Sequence, residues 1–500
     1  MKIYSLITLL LLSATLKAAP ENVRVLSGSL SNNGAIIYWD KPSDYKSVTG
    51  YDVYLDGAKL GSTTKNNYVI NTLSPAQSYT LYVASTGGTT SPNSTPIFFT
   101  TKPSPTVVNV ADYGAKGDNS TLNTVLIQKA IDECPQYGVV YIPPGTYKTG
   151  AIFIRKSDIS IQIATGATLI SSAQLEDFPI VKSRYEGLHK DVYSSVLNIG
   201  ERDGARYSNI RIFGGGTIDN QGSIFAAQQT AARDRMARSH GLPIISCDNV
   251  CIDGITIQNP CTWNVHPIYC NGFTTNNCKL ISADYGISNG DGWDPDSSSD
   301  CYLINSELNG QDDNVAIKSG RDAEGRTIGI PSTNIYVSNC HFIKGGGLAI
   351  GSEQSGGVQE VIFEDLQIDR CDRGFNIKAP PGRGGYITDI IFRDIVVDRA
   401  SGWGMHIDSI YGSTSTTTQN IPEFSDILFE NILIKTLTAS SSSNPENVGH
   451  PIQIRGRGDK PVKNITFRNY VVESSPTNAV VLKSCQNVTF ENVKVGKDNW

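Results

Sequence analysis

Apolar and polar residues alternate along most of this chain with a period of two, the spacing of strands with one buried face rather than of helices. Residues 20–101 carry the alternation in short runs, among them Ala35-Ile36-Ile37-Tyr38-Trp39 and Tyr51-Asp52-Val53-Tyr54-Leu55, separated by turn-forming Gly, Asn, Asp and Pro. This pattern predicts a small all-β sandwich. The Pro-rich stretch Lys102-Pro103-Ser104-Pro105, inside a linker over 102–108, marks a boundary. Beyond it a second pattern recurs, in which Asn or Asp is followed by alternating apolar residues: SNIRIFGGGTID, DNVCIDGITIQ, STNIYVSNCHF, VQEVIFEDLQI, ITDIIFRDIVV, FSDILFENILI, VKNITFRNYVV and QNVTFENVKV. The units recur every ~23–40 residues without strong helical periodicity between them, so strand-turn-strand coils stacked into a right-handed parallel β-helix fit, and leucine-rich or helical solenoids do not. The turn Asn and Asp residues are expected to satisfy backbone groups locally. The one clear helix candidate, Leu122 to Cys134, has Leu126, Ala130 and Ile131 at helical spacing and is expected to cap the open end of the solenoid.

Length, charge and cysteine content add constraints. A chain of 500 residues exceeds one average domain, which agrees with a large domain over 109–500 and a smaller one before it. Met1 and Lys2, the apolar run Leu6 to Leu12 and the small pair Ala18-Ala19 read as a signal peptide over 1–19, and the run is too short for the ~20 residues of a membrane span. The expected location is therefore secreted, extracellular or periplasmic. The net charge of -6 provides no basic field for nucleic acid, although local Lys and Arg could still bind an acidic polymer. Neither nucleic acid nor membrane is an expected partner, and a monomer is the default state. All ten cysteines fall at or after Cys134. An even count in an oxidising compartment permits disulfides, with Cys247 and Cys251 a candidate pair, or the thiols fill a stacked interior.

Candidate chemistry is concentrated in two acidic stretches, Asn289-Gly290-Asp291-Gly292-Trp293-Asp294 and Gly310-Gln311-Asp312-Asp313. Asp291 and Asp312 are 21 residues apart, the length of one tight coil, so they are expected to stack on neighbouring coils and form a three-carboxylate cluster with Asp313. Strand neighbours point to opposite faces, so the chain must bend at Asp312-Asp313 for both to serve one site. Glycosidic hydrolysis needs one carboxylic acid kept protonated and one carboxylate to activate water, and crowding of like charges supplies that difference. A calcium loop over Asn289 to Asp300 fits poorly, because Asp294 stands where the invariant Gly belongs and the closing Glu is missing. No phosphate loop and no Cys/His set with zinc spacing is present in the sequence, so no cofactor is implied.

These residues carry a resemblance to a known family. Asn289-Gly290-Asp291-Gly292 and Gly310-Gln311-Asp312-Asp313 resemble the first two signature motifs of the polygalacturonase family, glycoside hydrolase family 28. Gly347-Leu348-Ala349-Ile350-Gly351-Ser352-Glu353 resembles the end of the third, and Asn376-Ile377-Lys378 with Gly382-Arg383-Gly384-Gly385 stands in the place of the fourth. ADYGAKGD and YIPPGTYKTG extend the likeness upstream to Val110. The resemblance implies a pectin hydrolase in which Asp312 is the general acid, Asp291 and Asp313 position and deprotonate water, and the anomeric configuration inverts. Asn289, Asn376, Lys378, Arg383 and Tyr411 would bind substrate. Two departures stand out: Lys344-Gly345-Gly346-Gly347 lacks the family's His between two glycines, and Asn376 stands where the family has Arg. They motivate alternatives, namely a hydrolase of rhamnogalacturonan or another substituted pectin, or a non-catalytic pectin-binding homologue; a calcium-dependent pectate lyase ranks below these. His341 is a weak candidate to replace the lost His. Trp263 and Trp293 fit packing better than sugar stacking, and the loop Ser319 to Ser332 is a candidate wall of the groove. The N-terminal segment resembles a fibronectin type III module through Trp39 with Pro42, the YDVYLDG strand and turn, and Leu73-Ser74-Pro75 leading to Tyr79, with a spacer or packing role expected.

Overall fold

The computed structural model describes residues 19–87, 92–412, 419–439 and 449–499, so the expected export signal, apart from Ala19, lies outside the described residues. Two compact units divide the chain, with Ser104 closing the first and Pro105 opening the bulk of the second.

In the first unit, Glu21–Val25, Ala35–Asp40 and Asn67–Ile70 form one antiparallel sheet, and Ala58–Thr63, Gly50–Leu55, Ser78–Thr86 and Ile97–Thr100 form another. The alternating residues of the sequence pattern meet between them. Ile37, Trp39, Val53, Leu81 and Val83 are all fully buried, and Trp39 meets Tyr51 edge-on at 5.1 Å. The backbone N–H of Ser74 donates to Tyr79 Oη at 2.8 Å, a local staple of the kind that β-sandwiches use at strand corners.

The second unit is the parallel β-helix. Val139–Ile142 pairs in parallel with Val107–Asn109 on one side and Ile159–Ile163 on the other, and the ladder continues through Tyr207–Gly214, Cys247–Asp253, Asn271–Asn276, Ser299–Ile304 and Ser332–Ser338 to Cys485–Glu491. Because parallel register superposes equivalent residues, like stacks on like. Phe363, Phe392, Phe429 and Phe467 form a column with ring centroids 4.8 to 5.1 Å apart. The recurring Asn and Asp residues have a more specific use than local turn bonding. Asn209, Asn249, Asn334, Asp426, Asn464 and Asn487 all hold positive φ at coil corners, a conformation these short polar residues tolerate better than others. Their side chains also bond from coil to coil, as in Asn464 Nδ2 to Asp426 Oδ1 (2.9 Å) and Asn487 Nδ2 to Asn464 Oδ1 (3.0 Å).

The expected capping helix forms over Thr124–Glu133, with Ile127, Ala130 and Ile131 in the core. It is shorter than expected. Leu122 belongs to the strand Asp118–Leu122, and Cys134 turns extended (ψ 127°) before Pro135, as residues preceding proline do. Two short helices inserted between coils, Gly222–Ala232 and Asp322–Ile328, carry too few apolar repeats to be legible in the sequence. All ten cysteines are free thiols, nine of them buried. Cys247 and Cys251 lie on one strand, where a four-residue separation spans ~13 Å, far beyond disulfide reach. The thiols fill the interior.

Candidate active site

One face of the β-helix carries the site. The short strands Val315–Ile317, Leu348–Gly351, the end of Val358–Lys378, the end of Tyr386–Asp408 and His450–Arg455 follow one another in register, preceded by bridges from Trp293 to Val315 and from Asp296 to Lys318. Period-two alternation sorts their side chains. Trp293, Val315, Leu348, Phe375 and Met405 point into the core, while Asp296, Lys318, Gly351, Lys378 and Asp408 share one column on the other side. Strand register thus places two lysines one and three coils beyond the first acidic stretch.

The aspartates reach this face through backbone stitching. Asp312 and Asp313 occupy the expected bend, between Glu307–Asn309 and Val315–Ile317. Gly290 O accepts from the Asp312 N–H (3.3 Å) and Asp313 O accepts from the Gly292 N–H (2.9 Å), which sets Asp291 beside Asp313 on the neighbouring coil. Asp291 and Asp313 are buried and Asp312 is half-buried.

Two ammonium groups organise the charge. Lys318, only 4 % exposed, places Nζ 3.4 Å from Asp291, 3.4 Å from Asp294 and 3.6 Å from Glu353, with the face of Trp263 at 4.6 Å. Burial would favour its neutral form, but the charges of Asp294, Asp291 and Glu353 outweigh this and hold its pKa well above the usual lysine value. Lys378 Nζ bonds Asp313 Oδ2 at 2.8 Å. Burial pulls the Asp313 pKa up, yet Lys378 prevails and keeps it below the ordinary carboxylate value. Asp312, next in the chain, is raised by burial and then by the Asp313 charge. Asp291 is pushed far up by burial and by Asp294, against the pull of Lys318. Two adjacent carboxyls are thereby driven apart, one toward the acid and one toward the ionised form.

The expected substrate-binding residues are dispersed rather than gathered. Tyr411 is brought in, its ring centroid 5.7 Å from Lys378 Nζ. Asn289 Oδ1 accepts from Arg238 Nη2 (2.9 Å), tying the first motif to a buried guanidinium. Asn376 does not reach the groove surface: it is 0 % exposed, and its Oδ1 faces His406 Nδ1 at 3.2 Å. Arg383 turns away to Asp322 Oδ1 (2.7 Å) and the Ser352 carbonyl (2.9 Å). His341 cannot stand in for the lost His, since it lies half-buried and paired with Asp369 at 2.8 Å. Nor is there a vacancy for that His. A Cβ at Gly346 would lie 2.6 Å from Asp313 Oδ1, so with this backbone no side chain fits at position 346.

Several site residues carried no local signal in the sequence. Lys318 joins the cluster only because coils stack, and although Asp294 and Glu353 lie within the motifs, nothing in the sequence marks them as its partners. His266 and Arg184 converge on Asp296, the latter at 2.9 Å and fully buried, from 112 residues away in the chain. Arg184 belongs to a β-hairpin, Ile180–Tyr185 with Leu188–Tyr193, whose tip packs on the loop between Ser319 and Ser332. Gly187 O accepts from the Arg321 N–H (2.9 Å), Glu186 pairs with Arg321 and Arg235, and Glu324 Oε1 accepts from the His189 N–H (2.7 Å). Trp293 is core, and Trp263 stacks with Tyr185 and His240 over Lys318.

The buried acids have a consequence for stability. Asp294 is raised by burial to about 7, above its ordinary 3.8, so the fold binds this proton more tightly than the unfolded chain does. Its contribution is complete below about pH 4 and is lost as pH rises through about 7. Asp294→Asn is therefore expected to flatten the decline in stability across that window by about 1–4 kcal/mol, read from urea midpoints between about pH 4 and about pH 8. Parallel wild-type and variant curves would refute the shift.

Comparisons with known proteins agree with this architecture. An exo-poly-alpha-D-galacturonosidase of Dickeya chrysanthemi is 27% identical over 98% of this chain and 93% of its own. A probable polygalacturonase of Vitis vinifera is 28% identical over 76% of this chain and 77% of its own. The family 28 exopolygalacturonase of Yersinia enterocolitica superposes with a TM-score of 0.81 at 22% identity, covering 96% of this chain and 97% of that one, a likeness of fold. An exopolygalacturonase of Thermotoga maritima gives 0.67 at 26% identity over 79% and 92%. Residues 18–100 match the fibronectin type III domain, and residues 202–496 match the glycosyl hydrolases of family 28. The chain belongs to glycosyl hydrolase family 28.

Proposed function

We propose that this glycosidase is exported and hydrolyses galacturonate-containing pectic polysaccharide from a chain end by single displacement. The observation that carries the reading is the split between adjacent carboxyls: Asp312 is raised by burial and Asp313 is held ionised by Lys378. A proton donor and a proton acceptor side by side are what glycosidic hydrolysis requires. In this mechanism Asp312 protonates the leaving oxygen, Asp313 takes a proton from the attacking water, and Asp291 orients that water. The anomeric configuration inverts. The names of the relatives, galacturonosidase and polygalacturonase, support the substrate class. Export rests on the apolar run Leu6 to Leu12 and the small pair after it.

Action at a chain end is supported by the hairpin. Its tip and the Ser319 to Ser332 loop, stitched by Arg184, Glu186 and Arg321, wall the groove beside Lys318 and Glu353. In this reading the wall closes one end of the groove, so that a chain terminus abuts it. Reducing-end release from polygalacturonate, with chromatography of early products, is expected to show one small product from the first time point. An early ladder of intermediate oligomers would replace chain-end action with internal cleavage. The missing His and Arg of the family motifs favour one second reading, a substituted pectin such as rhamnogalacturonan. Release from the branched polymer far exceeding that from the smooth one would select it.

A further inference from the structure

The cations of the site, Lys378 and Arg383 expected from the motifs and Lys318 found beside them, are engaged. Lys378 is bonded to Asp313, Arg383 to Asp322, and Lys318 lies among three carboxylates, while Asn376 is buried against His406. One guanidinium beside them is different. Arg373 sits at a bulge just before Phe375–Lys378, where the parallel register with the next coil shifts. Its backbone N–H donates to Gly346 O at 3.2 Å, and the Gly346 N–H donates to Asp312 O at 2.7 Å, so Asp312, Gly346 and Arg373 follow one another on successive coils. The Arg373 guanidinium carbon lies 5.5 Å from the ring centroid of Trp403, which stacks on His406 at 4.4 Å. The side chain is half-buried and makes no ion pair among the described residues. Its charge acts on both Asp313 and Lys378 and opposes protonation of each, although the Asp313 charge still holds the Lys378 pKa above the usual lysine value.

We infer that Arg373 is the specificity-determining cation of this site, binding the carboxylate of the galacturonate unit next to the scissile bond in place of the guanidinium absent at position 376. Two physical points support the assignment. An unpaired guanidinium held near a second cation, Lys378, is a like-charge arrangement whose cost an arriving anion relieves. A planar fork fixed against an indole face loses little freedom on accepting a carboxylate, which it can engage through two hydrogen bonds. The absence of a side chain at Gly346 leaves the approach from Asp312 to Arg373 to backbone alone.

The inference rests on the proposed pectin-hydrolase reading, and the test separates the two. Wild type, Arg373→Ala, Arg373→Gln and Arg373→Lys are assayed for reducing-end release from polygalacturonate and from its fully methyl-esterified form. Wild type is expected to prefer the free acid. Arg373→Ala and Arg373→Gln are expected to lower kcat/KM on the free acid by about ten- to hundredfold, mainly through KM, and to leave the ester nearly unchanged, so that the preference collapses. Arg373→Lys should retain part of it. A structural role would lower both substrates together, so equal losses, or an unaltered preference, overturn the assignment of Arg373 while leaving the hydrolase reading intact. Wild-type protein that cleaves neither polymer overturns both.

Discussion

Asp312→Asn is expected to lower kcat on polygalacturonate by about 10²- to 10⁴-fold with little change in KM, the range that loss of a positioned proton donor produces. Asn fills the same space and cannot protonate a leaving oxygen. The measurement that separates an acid from a base is substrate rescue: a galacturonide with an acidic phenol leaving group needs little protonation, so Asp312→Asn should recover much of its rate there, while Asp313→Asn should not. Equal deficits on both substrates would remove Asp312 from the acid role. The pH profile gives a second check. Lys378 holds the Asp313 carboxyl below its ordinary value, so Lys378→Met is expected to raise that pKa and move the acid limb of the rate profile to higher pH. The alkaline limb, set by Asp312, should move less.

Lys318→Met is expected to be the most destabilising single change in the site, by about 3–5 kcal/mol near neutral pH, because it strands buried carboxyls that have faced one ammonium. The sign of the pH dependence is testable. Without Lys318, Asp291 and Asp294 are raised still further, so the fold favours their protonated forms more strongly. The variant should therefore lie closest to wild type in acid and fall behind as pH rises. Urea unfolding across that range checks this, and a deficit independent of pH would mean that Lys318 contributes packing against Trp263 rather than charge.

The cluster around Lys318 shows why part of the site was legible and part was not. Asp291, Asp312 and Asp313 stand out because they lie in two short motifs one coil apart, and the bend between Asn309 and Val315 follows from strand alternation. Lys318 directly follows the strand Val315–Ile317, whose sequence looks like any other rung, and nothing local marks it as the counterion of Asp294. Asn376 illustrates the opposite failure. Its motif position suggests a substrate contact, yet His406, thirty residues later, closes over it. The cysteine count left two readings open, disulfides or thiols stacked in a solenoid interior, and the free thiols of the structure select the second.

The amino-acid sequence by itself determined the two-part β architecture, through period-two alternation and an Asn or Asp at most coil corners, and it singled out the three aspartates, through motif spacing. Tertiary structure alone decided which side chains share their electrostatic environment: Lys318 with Asp291, Asp294 and Glu353, Lys378 with Asp313, Arg373 with Trp403, and Arg184 with Asp296. The reason is geometric. In a parallel β-helix, neighbours are set by register between coils, and coil length varies with inserted turns, hairpins and helices, so residues that meet in space are separated by a distance along the chain that no local pattern specifies.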